Sequence, residues 1–86
     1  MPEYSIVFTR SARKELEALP GMFQTRILRR VEQLSMKPRP TGVRKLVGAE
    51  DLWRLRISDY RVIYAVHDEQ KLVDIISIRH RKDAYR

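Results

Sequence analysis

Residues 52–64 read LWRLRISDYRVIY, two runs of aromatic and branched side chains around Ser58-Asp59. That pattern specifies a β-hairpin with a two-residue turn, and the rest of the chain must supply cover for its apolar face. Strand alternation puts Trp53, Leu55 and Ile57 on one face and Arg54 and Arg56 on the other. With the turn centred on Ser58-Asp59, Ile57 pairs with Tyr60 and Arg56 lies opposite Arg61. Like charges directly opposite cost stability, roughly 0.2–1 kcal/mol for pairs of this kind. A sheet face that holds Arg54, Arg56 and Arg61 is therefore expected to meet a polyanion. Trp53 reads as core, and Tyr60 reads equally as packing or as a site residue.

The flanking segments supply the cover. Tyr4–Phe8 alternates as a first strand with Tyr4, Ile6 and Phe8 on one side. Thr9 or Ser11 can cap a helix carrying Ala12, Leu16 and Leu19 at helical spacing, and Pro20-Gly21 ends it. A second helix is expected over Met22–Met36, with Phe23, Ile27, Val31 and Leu34 as its apolar stripe. The short connection makes the two a helical hairpin. Lys37–Gly42 is a loop by composition, and Val43, Leu46 and Val47 read as a loop dipping an apolar residue into the core. Asp68–Lys71 turns the chain into the run LVDIISI, and the tail RHRKDAYR follows. The order β-α-α-β-β-β predicts one two-layer α+β domain over residues 1–86, a mostly antiparallel sheet covered on one face by the helical hairpin.

Charge placement supports the polyanion. The net charge is +7, and Arg26 to Lys45 holds seven bases (Arg26, Arg29, Arg30, Lys37, Arg39, Arg44, Lys45) against the single acid Glu32. A local excess of this kind is the footprint expected for RNA, DNA or an acidic protein partner. The chain has no cysteine, which excludes disulfides and thiolate metal sites and suits a reducing cytoplasm. The start MPEYSIVFTR has no apolar run of signal-peptide length. With two histidines and no ligand spacing, neither a metal nor another cofactor is expected.

The segments IVFTRSARKELEALP, RKLVG, LWRLRISDYRVIY and ISIRHRKDAY cover nearly the whole chain in order. Together they resemble the RelE/ParE superfamily of toxins from bacterial and archaeal toxin–antitoxin modules, and within it the RelE-type branch. The resemblance implies a RelE fold and ribosome-dependent cleavage of mRNA in the decoding site, silenced by a cognate antitoxin. It maps the family's basic positions onto Arg54, Arg56, Arg61 and Arg81, and its terminal tyrosine onto Tyr85. The best-known RelE members carry lysines where this chain has Arg54 and Arg56. An arginine does not give up its proton, so those positions do not supply a general base here.

Metal-free RNA cleavage needs a base for the 2′-hydroxyl, cations for the phosphoryl oxygens and an acid for the leaving 5′-oxygen. Arg54, Arg56, Arg61 and Arg81 suit the second task, because guanidinium forks bind phosphate bidentately. His80 has a reference pKa near working pH and is the candidate base; the residues alone leave it equally a surface histidine. Tyr85 can stack on a nucleobase or donate a proton. Arg26, Arg29, Arg30, Lys37, Arg44 and Lys45 read as contacts to ribosomal-RNA phosphates, and His67 as a turn residue.

The register of the last strand stays open at this level. An even number of unpaired residues in the Asp68–Lys71 turn sets Arg61 opposite Ile78 and puts His80 on its face. An odd number sets it opposite Ser77, with Arg79 and Arg81 sharing the face. Two other functions fit the same outline: a ParE-like poison of DNA gyrase without nuclease chemistry, and a catalytically silent nucleic-acid binder.

Overall fold

The computed structural model describes residues 3–46, 48 and 51–82. The chain runs β1 (Ser5–Phe8), α1 (Arg10–Glu17), α2 (Gly21–Gln33), β2 (Arg44–Lys45), β3 (Leu52–Ile57), β4 (Tyr60–His67) and β5 (Leu72–His80). The strands form one sheet in the order β1-β5-β4-β3-β2. β1 lies parallel to β5, and the other neighbours are antiparallel. This is the expected two-layer α+β arrangement with one added strand. Arg44 and Lys45, expected in a loop, pair with Arg54 and Trp53 as β2. Two residues are too few to show a strand period, so only the pairing reveals them. Val43 packs against the core as expected, whereas Val47 lies outside the described residues.

Thr9 caps α1, its Oγ1 accepting the Ala12 N–H at 3.1 Å. Between the helices, the Gln24 side chain donates to the carbonyls of Leu19 (2.7 Å) and Glu17 (3.3 Å). It thereby satisfies acceptors that the end of α1 leaves open. The second helix stops at Gln33 rather than at the expected Met36. From there the chain tightens into bonds of three-residue span, Leu34 N–H to Val31 O, Ser35 N–H to Glu32 O and Met36 N–H to Gln33 O. Pro38 lies just ahead, and the residue before a proline is pushed out of helical geometry.

The core lies between the layers. Ala12 and Leu16 of α1, with Ile27, Val31 and Leu34 from α2 and its following turn, meet Leu55, Ile57, Val62, Tyr64, Val66, Val73, Ile75 and Ile78 from the sheet. Burying a side chain of this kind contributes roughly 1.5–3 kcal/mol. Trp53 is half-buried against the same cluster, and the Arg39 guanidinium lies over its ring at 5.4 Å. Three contacts tie the far end of the sheet together. The Tyr64 hydroxyl donates to Pro38 O at 2.8 Å. Arg39 grips Asp68 through two nitrogens at 3.2 and 2.6 Å. The Tyr4 hydroxyl donates to the same carboxylate at 2.7 Å.

Candidate nucleic-acid interface

The hairpin closes as the sequence suggests. Ile57 pairs with Tyr60 and Arg56 with Arg61, and Ser58 takes φ 53°, the positive value that primed two-residue turns require. Leu55, Ile57 and Val62 turn into the core, which leaves Arg54, Arg56 and Arg61 on the other face.

The last strand departs from both expected registers. Four residues separate the first pair, His67 with Leu72, and that even count starts β5 in the register that would bring His80 to Arg61. A bulge at Ile76 then inverts the alternation. Beyond it Ile63 pairs with Ser77, Arg61 with Arg79 and Tyr60 with His80. Arg61 is thus opposite neither Ile78 nor Ser77. The bulge is held from outside the strand: the Thr9 hydroxyl donates to Ile76 O at 3.0 Å and the Thr9 N–H to Ile75 O at 2.9 Å. A bulged residue loses its ladder partner, and here a side chain replaces it.

The result is a rank of cations. Arg56, Arg61 and Arg79 stand directly opposed on three adjacent strands, and Arg44 opposes Arg54 in the neighbouring row. Adjacent strands are spaced about 4.8 Å apart, so the bases of these side chains are close neighbours. Among the described residues, Glu15 and Asp59 border the rank. Glu15 meets Arg79 Nε at 3.2 Å, and Asp59 lies 4.0 Å from Arg81 Nη1. The Arg81 N–H continues the strand by donating to Asp59 O at 2.7 Å. Arg81 lies one residue beyond β5, beside the Asp59 turn.

His80 is placed elsewhere. It faces the helix layer, edge-on to Tyr60, which in turn lies 5.1 Å from Phe23. Its Nδ1 accepts the Lys82 N–H at 3.2 Å, so the lone pair a neutral imidazole would use as a base is engaged by the backbone. The structure therefore does not bring His80 together with the arginines. The cause is the bulge at Ile76, which no local sequence signal marks. Tyr85 lies outside the described residues.

The remaining basic residues divide between the layers. Arg44 joins the rank. Arg26 reaches the hairpin turn from the helix side, donating to Ser58 Oγ at 2.8 Å. Arg29 and Arg30 are exposed on α2, in the layer behind the sheet. Lys37 is exposed in the loop after α2, and Lys45 is exposed on β2, next to Arg44. Arg79 was not singled out by sequence reasoning. Its signal was the odd-register alternative, which already placed it with Arg61. Among the described residues, no three His, Asp or Glu side chains gather closely enough to hold a metal ion. No described helix is long and apolar enough to cross a membrane.

Residues 6–85 match the model of the ParE toxin of type II toxin–antitoxin system, parDE. Toxin RelG of Mycobacterium tuberculosis is 35% identical over 91 aligned residues, covering 96% of this chain and 97% of that protein. Toxin RelE of the same organism is 32% identical, over 96% of this chain and 87% of its own length. Among solved structures, the archaeal RelE-RelB complex from Pyrococcus horikoshii contains a chain that superposes with a TM-score of 0.82 at 33% identity, covering 92% of this chain and 96% of that one. The intact Escherichia coli RelBE toxin-antitoxin complex gives 0.80 at 26% identity, over 90% and 95% of the two chains.

Proposed function

Because the chain belongs to the ParE toxin family of type II toxin–antitoxin systems, with RelE-type toxins among its relatives, we propose that it is a ribosome-dependent endoribonuclease. In this reading it cuts mRNA in the ribosomal A site and so stops translation in the cytoplasm. The observation that carries the reading is the rank Arg56–Arg61–Arg79, with Arg44 and Arg54 beside it. Arg44, Arg54, Arg56 and Arg61 crowd like charge onto one sheet face, which opposes folding, and RNA phosphates relieve that cost.

In the proposed reaction the 2′-hydroxyl of the nucleotide gives its proton to water as its oxygen attacks the adjoining 3′-phosphorus. The P–O5′ bond breaks, leaving a 2′,3′-cyclic phosphate and a 5′-hydroxyl. Arg54, Arg56, Arg61 and Arg81 stabilise the charge that grows on the phosphoryl oxygens, a contribution worth about 10²–10³-fold per donor. Tyr85 is the proposed stacking or proton-donating group. His80 is assigned to packing, because it stands on the other face with Nδ1 engaged. Arg26, Lys37 and Lys45 are proposed to meet ribosomal RNA around the arginine face, and Arg29 and Arg30 to meet it behind the sheet.

A cognate antitoxin completes the proposal, since similar chains are seen in RelE-RelB complexes. Charge complementarity calls for an acidic, amphipathic segment that covers the arginines. The family model's name favours a second reading, a ParE-like gyrase poison. Purified protein added in parallel to translating ribosomes and to gyrase with supercoiled DNA separates the two: codon-phased mRNA ends support the nuclease, and trapped gyrase–DNA breaks with intact mRNA support the poison.

A further inference from the structure

Arg79 leaves β5 directly opposite Arg61, yet its guanidinium does not simply extend that row. Its Nε donates to Glu15 Oε2 at 3.2 Å, and Glu15 belongs to α1, in the helix layer. The other carboxylate oxygen, Oε1, accepts the Ile78 N–H at 3.0 Å. Pairing between β1 and β5 ends at Phe8 with Ile75, so this N–H lies on a stretch of strand edge that β1 does not cover. One carboxylate therefore caps the edge and draws the guanidinium over it, away from Arg61. The Arg79 side chain is 56% exposed and that of Glu15 27%. An ion pair this open to water is weak and exchanges readily.

We propose that Arg79 is a further phosphate ligand of the arginine face and that Glu15 holds it in reserve. In the free protein the pair spares Arg61 a third guanidinium in register. When RNA binds, a phosphate oxygen replaces the carboxylate, and Arg79 turns back over the edge to complete the row. The proposal rests on the RNA reading above and adds to it a residue and its counter-ion.

The test is anisotropy titration of labelled oligouridylate at several salt concentrations, with the wild-type protein, Glu15→Gln, Arg79→Ala and the double variant. Glutamine keeps an oxygen for the Ile78 N–H and removes only the charge. Arg79→Ala is expected to weaken binding and to reduce the salt slope by about 0.7. Glu15→Gln is expected to tighten binding about two- to fivefold, the weight of an exposed ion pair. In the double variant that gain disappears. An equal gain with and without Arg79 overturns the proposal, because the effect is then bulk charge alone. So does an Arg79→Ala protein with wild-type affinity and slope, provided Arg56→Ala still weakens binding. If the wild-type protein does not bind the oligonucleotide at low salt, the polyanion reading itself fails and takes this proposal with it.

Discussion

Tyr60 and His80 meet edge to face, ring centroids 5.3 Å apart and planes at 90°, on the side of the sheet away from Arg61. The pair belongs to an aromatic row with Phe23 that closes the core beneath the hairpin turn. His80 is therefore expected to contribute packing. His80→Gln should leave the pH–rate profile of cleavage unchanged while lowering stability by about 1 kcal/mol. Single-turnover rates across the pH range and a melting curve check both halves. Loss of the acidic limb of the profile would restore His80 as the base.

Arg56 and Arg61 oppose each other with like charge, so removing one should help the fold and harm the function. Arg56→Thr is expected to raise the melting temperature by a few degrees, following the ~0.2–1 kcal/mol scale of cross-strand pairs. The same variant should lose about 10²-fold in cleavage. Scanning calorimetry beside a cleavage assay reads both. A destabilised variant with full activity contradicts the assignment of this face.

At the far end of the sheet, Asp68 is a charged anchor. Hydrogen bonds from Arg39 and then from Tyr4 hold its carboxyl down to about 2. The folded value lies below the unfolded one of about 3.9. The stabilisation is therefore complete above that unfolded value and is lost as pH falls toward 2. Melting temperature should drop more steeply through this acid window in the wild-type protein than in Asp68→Asn.

Tyr64 sets the opposite limit. Burial pushes its phenol up to about 12, and its hydroxyl donates to Pro38 O. An acid whose folded pKa is raised contributes stability below the unfolded value of about 10 and loses it as pH rises through the folded one. Tyr64→Phe should remove that alkaline loss. At neutral pH it should cost about 1 kcal/mol, since Pro38 O loses its donor. Denaturant melts at neutral and alkaline pH compare the two proteins.

The hairpin and its arginine face were legible because strand alternation and turn residues are local signals. Leu55 and Ile57 could face the core only with Arg54 and Arg56 turned outward. The helices were equally legible from the spacing of Ala12 and Leu16 and of Ile27, Val31 and Leu34. The placement of His80 and Arg79 was not. It depends on one extra residue at Ile76, and the groups that fix the strand there, Thr9 and Glu15, lie more than sixty residues away in the chain. No window of sequence around β5 contains that information. The strand β2 escaped for a different reason, since two residues carry no period.

The arginine face as the site of RNA cleavage is tested most directly by mapping mRNA ends on translating ribosomes with the wild-type protein, Arg61→Ala and Arg81→Ala. Codon-phased cuts bearing 2′,3′-cyclic phosphate are expected from the wild-type protein, and at least about 10²-fold slower cutting from each folded variant. Wild-type cutting rates in both variants, or intact mRNA with the wild-type protein, would contradict that assignment.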